Sequence, residues 1–175
     1  MKRIIVCTFL AWMLSVSCAS AELKVGDKAT NFILKDSLGK EYTLISPEFQ
    51  GRVVYINYAD IGSKDMNKHV DDTLKKDPGI DRKNNYVGFG IANMKASIVP
   101  DFIIARVIKS KQEETGATIL LDDNYIMLTR WGLENKVSNV IVLDKKRICR
   151  YIYKGKLPDE EVEKLISIVK EYQVK

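Results

Sequence analysis

VVYINYADIGSKDM, residues 53–66, begins as an apolar run and ends in a polar cluster. From Val53 to Tyr58 the residues are β-branched, aromatic or amide, with no charge, and Gly51 bounds them upstream. That pattern predicts a strand buried on both faces, central in a sheet. Ser63 then predicts a helix start, since its hydroxyl can accept a first-turn N–H and Asp65 complements the positive end of the dipole. Met66, Val70 and Leu74 share one helical face, and Asp77-Pro78-Gly79 ends the helix after Lys76. A buried strand feeding a helix is one half of a βαβ unit, so the class of the fold turns on whether strands and helices keep alternating toward the C-terminus.

Downstream, Tyr86 to Ala92 reads as a second strand. Pro100 fits the first turn of a second helix, whose stripe Ile103, Ile104, Val107 and Ile108 reads as core packing before the polar stretch Lys109 to Glu114. A strand at Ala117 to Leu121 comes next, then a short helix from Tyr125 to Trp131 stopped by Gly132. Strands at Asn139–Leu143 and Ile148–Tyr153 are joined through Asp144 and Lys145. Pro158-Asp159-Glu160-Glu161 opens a last helix that turns Val162, Leu165, Ile166, Val169 and Tyr172 inward. Upstream, Asn31–Lys35 and Glu41–Leu44 flank the turn residues Asp36-Ser37-Leu38-Gly39, a hairpin pattern. A hairpin ahead of β-α-β-α-β-α-β-β-α predicts an α/β fold, with a central mixed sheet, helices on both faces and an N-terminal β-hairpin extension.

Residues 1–21 stand apart. Lys2 and Arg3, an uncharged stretch from Ile4 to Val16 and Ala19-Ser20-Ala21 form a cleaved secretory signal, leaving 22–175 as a single domain that is periplasmic or secreted. The stretch is shorter than the ~20 residues that span a bilayer, so no stable membrane span is expected after cleavage. Leu14-Ser15-Val16-Ser17 before Cys18 leaves a lipoprotein anchored through Cys18 as the lesser alternative. Removing Lys2 and Arg3 lowers the net charge from +5 to +3, with the basic residues interleaved among acidic ones, which argues against nucleic acid. Cys7 and Cys18 leave with the signal, so Cys149 is the one mature thiol and no internal disulfide can form. With His69 the single histidine, a zinc site of ordinary N/S ligands is not expected, nor is any other metal or cofactor.

The segment Gly26-Asp27-Lys28-Ala29-Thr30-Asn31-Phe32-Ile33-Leu34-Lys35-Asp36, with Gly39-Lys40 after it, resembles the opening of redoxins and peroxiredoxins, G-x-x-A-P-x-F-x-L-x-D-x-x-G-K. Thr30 takes the place of their proline. Gly51 to Tyr58 resembles their first core strand, and Trp131-Gly132-Leu133 and Asn139 to Asp144 are similar to the Y-G-V and T-x-F-L-I-D segments of thioredoxin-like proteins. Val140 to Lys145 and Pro158 to Val162 narrow the resemblance to the YtfJ-type exported thioredoxin-like proteins, which lack the active-site cysteines. The resemblance implies a thioredoxin-like fold. It also puts Ser63 at the attacking-cysteine position, Met66 at the resolving position and Ser138 at the cis-proline position.

Thiol exchange needs a thiolate at the first position and a second thiol three residues on. Serine without an adjacent base is a poor nucleophile, and methionine has no proton to lose. A trans peptide is expected before Ser138, because cis bonds are essentially a proline phenomenon. Cys149, placed by strand alternation beside Arg147, Tyr151 and Tyr153, is either a small core residue or a thiol whose ionisation Arg147 favours. His69, six residues from Ser63, falls on roughly the opposite helical face and reads as a surface or partly packed residue. Ser63, Lys64 and Asp65 read as a capping cluster, with anion binding on free N–H groups as the alternative. Tyr151 and Tyr153 beside Lys154 read as edge-strand aromatics or a contact surface.

Together these features predict a binding or accessory protein of the cell envelope without dithiol chemistry. Its candidate residues are Ser63, Lys64, Asp65, Trp131 and Ser138, and its partner is an unknown protein, peptide or small molecule. The alternatives are a thiol-dependent redoxin or peroxidase-like oxidoreductase using Cys149, and a structural envelope component.

Overall fold

The computed structural model describes residues 22–96 and 99–175. The expected signal, with Cys7 and Cys18, lies outside the described residues. Seven strands form one mixed sheet in the order β2-β1-β5-β4-β3-β6-β7. They are β1 (Leu34–Asp36), β2 (Glu41–Tyr42), β3 (Val53–Ala59), β4 (Tyr86–Asn93), β5 (Ile119–Asp122), β6 (Asn139–Leu143) and β7 (Cys149–Lys154). The helices are α1 (Lys68–Lys76), α2 (Asp101–Thr115), α3 (Ile126–Trp131) and α4 (Asp159–Gln173). β3, β4 and β5 run parallel, as βαβ crossovers require, while β1 on β5 and β6 on β3 are antiparallel. The N-terminal hairpin therefore extends the sheet through β5.

β3 explains the uncharged run. Val54, Ile56 and Tyr58 pack with Phe89, Ile91, Ile141 and Leu143 under Met127 and Trp131 of α3. Val53 and Tyr55 point the other way, with Val140 and Val142, onto Val70 and Leu74 of α1 and Val162, Leu165, Ile166 and Val169 of α4. Each fully buried aliphatic or aromatic chain of this kind contributes about 1.5–3 kcal/mol. A strand covered on both sides carries no polar alternation. Pro158 and three first-turn carboxylates start α4, and Gly132, at φ 59°, ends α3 in the left-handed region.

Three sequence expectations give way. The helix expected from Ser63 starts at Lys68, and residues 61–67 form successive turns closed by Ser63 N to Asp60 O, Met66 N to Ser63 O and Lys68 N to Asp65 O. Gly62 weakens helix in this stretch, and the Ser63 N–H also donates to the Asp60 carboxylate. Among the described side chains of α2, only Ile104 and Ile108 are buried. Ile103 and Val107 are exposed with Phe102, which is 75% accessible, because the helix rests on β4 and β5 along a single line of side chains. Finally, a bulge sets Val142 opposite Tyr151 but Leu143 opposite Cys149, leaving Arg150 as the extra residue. The extra residue reverses alternation, so Cys149 and Ile152 face the α3 side while Tyr151 and Tyr153 face α4.

Candidate functional site

Open α/β sheets bind ligands at the carboxyl ends of their parallel strands. At that end, buried polar side chains concentrate: Asp60, Ser63, Asn67, Asn93, Asp122, Ser138 and Asn139. β3 delivers Asp60, whose carboxylate Oδ1 accepts the Ser63 N–H at 2.9 Å and also the Ser63 hydroxyl. The Asp60 N–H in turn donates to Ser63 Oγ at 3.2 Å. The Ser63 amide, which the alternative reading offered to an external anion, is thus occupied by an internal carboxylate, and Ser63 does not cap α1. Lys64 and Asp65 stand exposed beside it and pair with each other, which lowers the Asp65 carboxyl.

Ser138 lies across from this turn on a trans backbone, with no cis peptide among the described residues. Its hydroxyl donates to Asn57 Oδ1 of β3 at 2.7 Å and accepts from Asn67 Nδ2 at 2.8 Å. Asn67 goes further: Nδ2 also donates to Gly155 O at 2.8 Å, and Oδ1 accepts the Leu157 N–H at 2.9 Å. At the start of α1, His69 Nε2 reaches Leu157 O at 3.0 Å, so His69 has a loop-holding position and no serine to serve. These side chains tie α1, β6 and the β7–α4 loop together around the place a cis-proline groove would occupy. Met66, half-buried, has no polar role there.

Trp131 is 1% exposed, its ring edge-on to Phe32. The indole N–H donates to Thr30 O and Thr30 Oγ1 at 3.1 and 3.0 Å. Thr30, standing where redoxins have proline, supplies both of those acceptors, and Trp131 is a core residue without a face for a ligand. Tyr58 Oη donates to Asp122 Oδ2 at 3.4 Å, while both Asp122 oxygens accept N–H groups from Asn124, Ile126 and Met127 at the head of α3. Burial first, and then Asp122, push the Tyr58 hydroxyl upward.

Cys149 is buried and its thiol donates to Tyr151 O at 3.4 Å. Burial pushes the thiol up to about 11. Arg147 does not favour a thiolate: at φ 67° its guanidinium turns into the 44–52 loop and donates to the carbonyls of Leu44, Phe49, Arg52 and Asp144. Among the described residues no cluster of three or more metal-ligating side chains occurs, and no helix is long and apolar enough to cross a membrane.

Sequence reasoning missed Asn57, Asp60, Asn67 and Asp122. Asn57 announced itself as the lone amide in an apolar strand, and Asp60 as the first charge after it. Asn67 carried no local sign, because its partners lie 71, 88 and 90 residues away.

A family model described as a bacterial protein of unknown function, YtfJ_HI0045, matches residues 19–172. An uncharacterized protein of Haemophilus influenzae is 39% identical over 61 residues, and the match spans 35% of this chain and 33% of that protein's length. Among solved structures, the chain resembles an exposed lipoprotein thioredoxin of Streptococcus pneumoniae at 16% identity and TM-score 0.61, covering 81% of this chain and 99% of that one. A thiol peroxidase of Chromobacterium violaceum matches at 14% identity and TM-score 0.60, over 84% and 88% of the two chains. A thiol-disulfide oxidoreductase of Bacteroides fragilis matches at 11% identity and TM-score 0.60, over 81% and 99%. At these identities the likeness is one of fold: the chain is thioredoxin-like, and its chemistry must come from its own residues.

Proposed function

The chain belongs to the YtfJ_HI0045 family of bacterial proteins, and from that premise we propose that it is an exported thioredoxin-fold protein of the cell envelope that works by binding, without thiol exchange. The observation that carries this reading is the state of the redox positions. Ser63 is buried and bonded to Asp60, Met66 has no thiol, and the described thiol, Cys149, is buried in the core with its ionisation suppressed. Export rests on the basic start, apolar stretch and Ala19-Ser20-Ala21 of residues 1–21.

The partner is a polypeptide docking on the surface of the former groove. Every buried side-chain polar atom among the described residues already has a protein partner, so no inward-pointing group is left for an enclosed small molecule. What remains outside is Gly62, Lys64 and Asp65, with Lys156 on the facing loop. Ser63, Asn67 and Ser138 act beneath that surface as positioning residues.

Two measurements test the reading. Purified protein is expected to give no dithiol-driven insulin reduction and no peroxide turnover above buffer. Either activity, abolished by Cys149→Ser, would establish a redoxin instead. A photo-crosslinking side chain at Lys64 is expected to give a discrete polypeptide adduct in the exported fraction, absent when placed at Lys175. Identical adducts at both positions remove the proposed surface.

A further inference from the structure

The end of the sheet opposite the 61–67 turn gathers positive charge that the sequence spreads along the chain. β3 and β4 begin at this pole and β6 turns into β7 there, so the residues just outside those strand ends lie side by side. Neighbouring strands are about 4.8 Å apart, which sets the three approaches within roughly 15 Å of one another. They carry Arg52 before β3, Lys83 before β4, and Lys145 and Lys146 between β6 and β7. The Val53 N–H donates to Asn85 O at 2.8 Å, which joins the Arg52 and Lys83 approaches. Lys145 Nζ donates to Gln173 O at 2.8 Å, and Gln173 Oε1 accepts the Asp81 N–H at 2.9 Å, so the end of α4 ties the β6–β7 turn to the Lys83 loop.

The carboxylates at this pole are already occupied. Asp81 takes the Lys83 and Asn84 N–H groups on Oδ1 and the side-chain amides of Asn84 and Asn85 on Oδ2. Asp144 takes the Lys146 and Ile148 N–H groups on Oδ1 and Arg150 on Oδ2. Arg52, Lys83 and Lys146 make no ion pair with a described residue, whereas on other surfaces Lys40 pairs with Glu48, Lys68 with Asp72 and Lys95 with Asp101. Beneath them the buried Arg147 guanidinium donates to four backbone carbonyls, none of them a carboxylate, and so adds to the positive field. Two large apolar side chains stand out of the same surface. Ile45, in the loop whose carbonyls hold Arg147, is 66% exposed, and Val174, next to Gln173, is 81% exposed.

We propose that this pole is the surface by which the protein rests on an anionic phospholipid bilayer. Unpaired cations and outward apolar side chains make two demands together, and the headgroup–acyl boundary meets both: phosphates for Arg52, Lys83 and Lys146, and an apolar phase for Ile45 and Val174. A soluble phosphate would answer only the first. Lysine ammoniums are compact point charges on flexible stems, which suits a field of many headgroups better than one fixed anion. β3 is seven residues long, so at about 3.3 Å per residue the 61–67 turn stands roughly 20 Å beyond the pole. A protein lying on the bilayer in this way leaves Lys64 and Asp65 facing away from it. The inference goes beyond the polypeptide-binding reading and holds without it.

The test is co-sedimentation of the protein, purified from the exported fraction, with vesicles of phosphatidylcholine alone or mixed with phosphatidylglycerol. Saturable binding to the mixed vesicles is expected at about 0.1 M salt, with little to phosphatidylcholine alone and release at about 1 M, where the screening length falls from about 10 Å to about 3 Å. Lys83→Glu/Lys146→Glu should weaken binding by about twentyfold or more, since each cation near an anionic surface is worth about fivefold. Ile45→Ser/Val174→Ser should weaken it by a few-fold. Arg106→Glu/Lys109→Glu, the same change of charge at exposed positions of α2, should cost no more than a few-fold. Unchanged circular dichroism and a cooperative melt verify each fold. The proposal is overturned by absence of binding to the mixed vesicles, by equal binding to phosphatidylcholine alone, by either pole variant binding as wild type does, or by a lysine variant no weaker than the α2 variant. Release by inorganic phosphate at constant ionic strength would overturn it in favour of a soluble phosphate ligand, and tighter binding to polyglutamate than to the vesicles in favour of an acidic polypeptide.

Discussion

Asp71 shows how a single carboxylate can work against the fold that holds it. Burial raises its folded value above the unfolded one, the Tyr55 hydrogen bond and the lysines offsetting only part of the rise. For an acid shifted upward, its contribution to stability is fullest below the unfolded value of about 4 and is lost as pH rises through the folded value. Asp71→Asn keeps an acceptor for Tyr55 and removes the half-buried charge. Urea midpoints should therefore place the variant above wild type at pH 7 and level with it near pH 3; a variant less stable at pH 7 would show the charge to be useful. Cys149 gives a second prediction at this scale. Its thiol should resist an aromatic disulfide reagent in native buffer at pH 8 and react fully in denaturant, since burial both hides it and suppresses the thiolate.

Between elements, the Asn67 side chain acts as the fastener, joining the head of α1 to Ser138 and to the β7–α4 loop. Asn67→Ala leaves the Leu157 N–H and the Gly155 carbonyl without this partner, each costing roughly 1–3 kcal/mol where water cannot replace it. A loss of about 2–4 kcal/mol is expected, read as a Tm lowered by roughly 5–15 °C. Hydrogen exchange should quicken at Leu157 before the β3 core responds. α2 sits at the other extreme. With Ile104 and Ile108 its buried residues among the described side chains, its amides should exchange faster than those of α4, and Phe102→Ser should change stability by less than about 0.5 kcal/mol.

Across the whole molecule, a thioredoxin-like sheet carries Ser63 and Met66 where the sequence resemblance would put a cysteine pair, and introducing two sulfurs there should not create thiol exchange. In Ser63→Cys/Met66→Cys the first thiol would lie against the Asp60 carboxylate in a turn before α1, with no helix dipole behind it. A carboxylate beside a thiol opposes the thiolate, so insulin reduction by the double variant should stay near background. Adding Asp60→Asn should raise it if that charge is the obstacle, and rapid turnover by the double variant alone would refute the account. The βαβ order, the buried β3, the Gly132 stop and the first-turn carboxylates of α4 were legible in the sequence. They depend on periodicity, turn chemistry and charge within a few residues of one another. Tertiary structure alone decided the turns at 61–67, the inward rotation of Cys149, the half-exposed α2 and the burial of Trp131 and Ser138. Most of these depend on a partner far along the chain: Ser138 on Asn67 and Asn57, Trp131 on Thr30, Cys149 on a bulge opposite β6. Local propensity has no information about which distant group will accept a hydrogen bond.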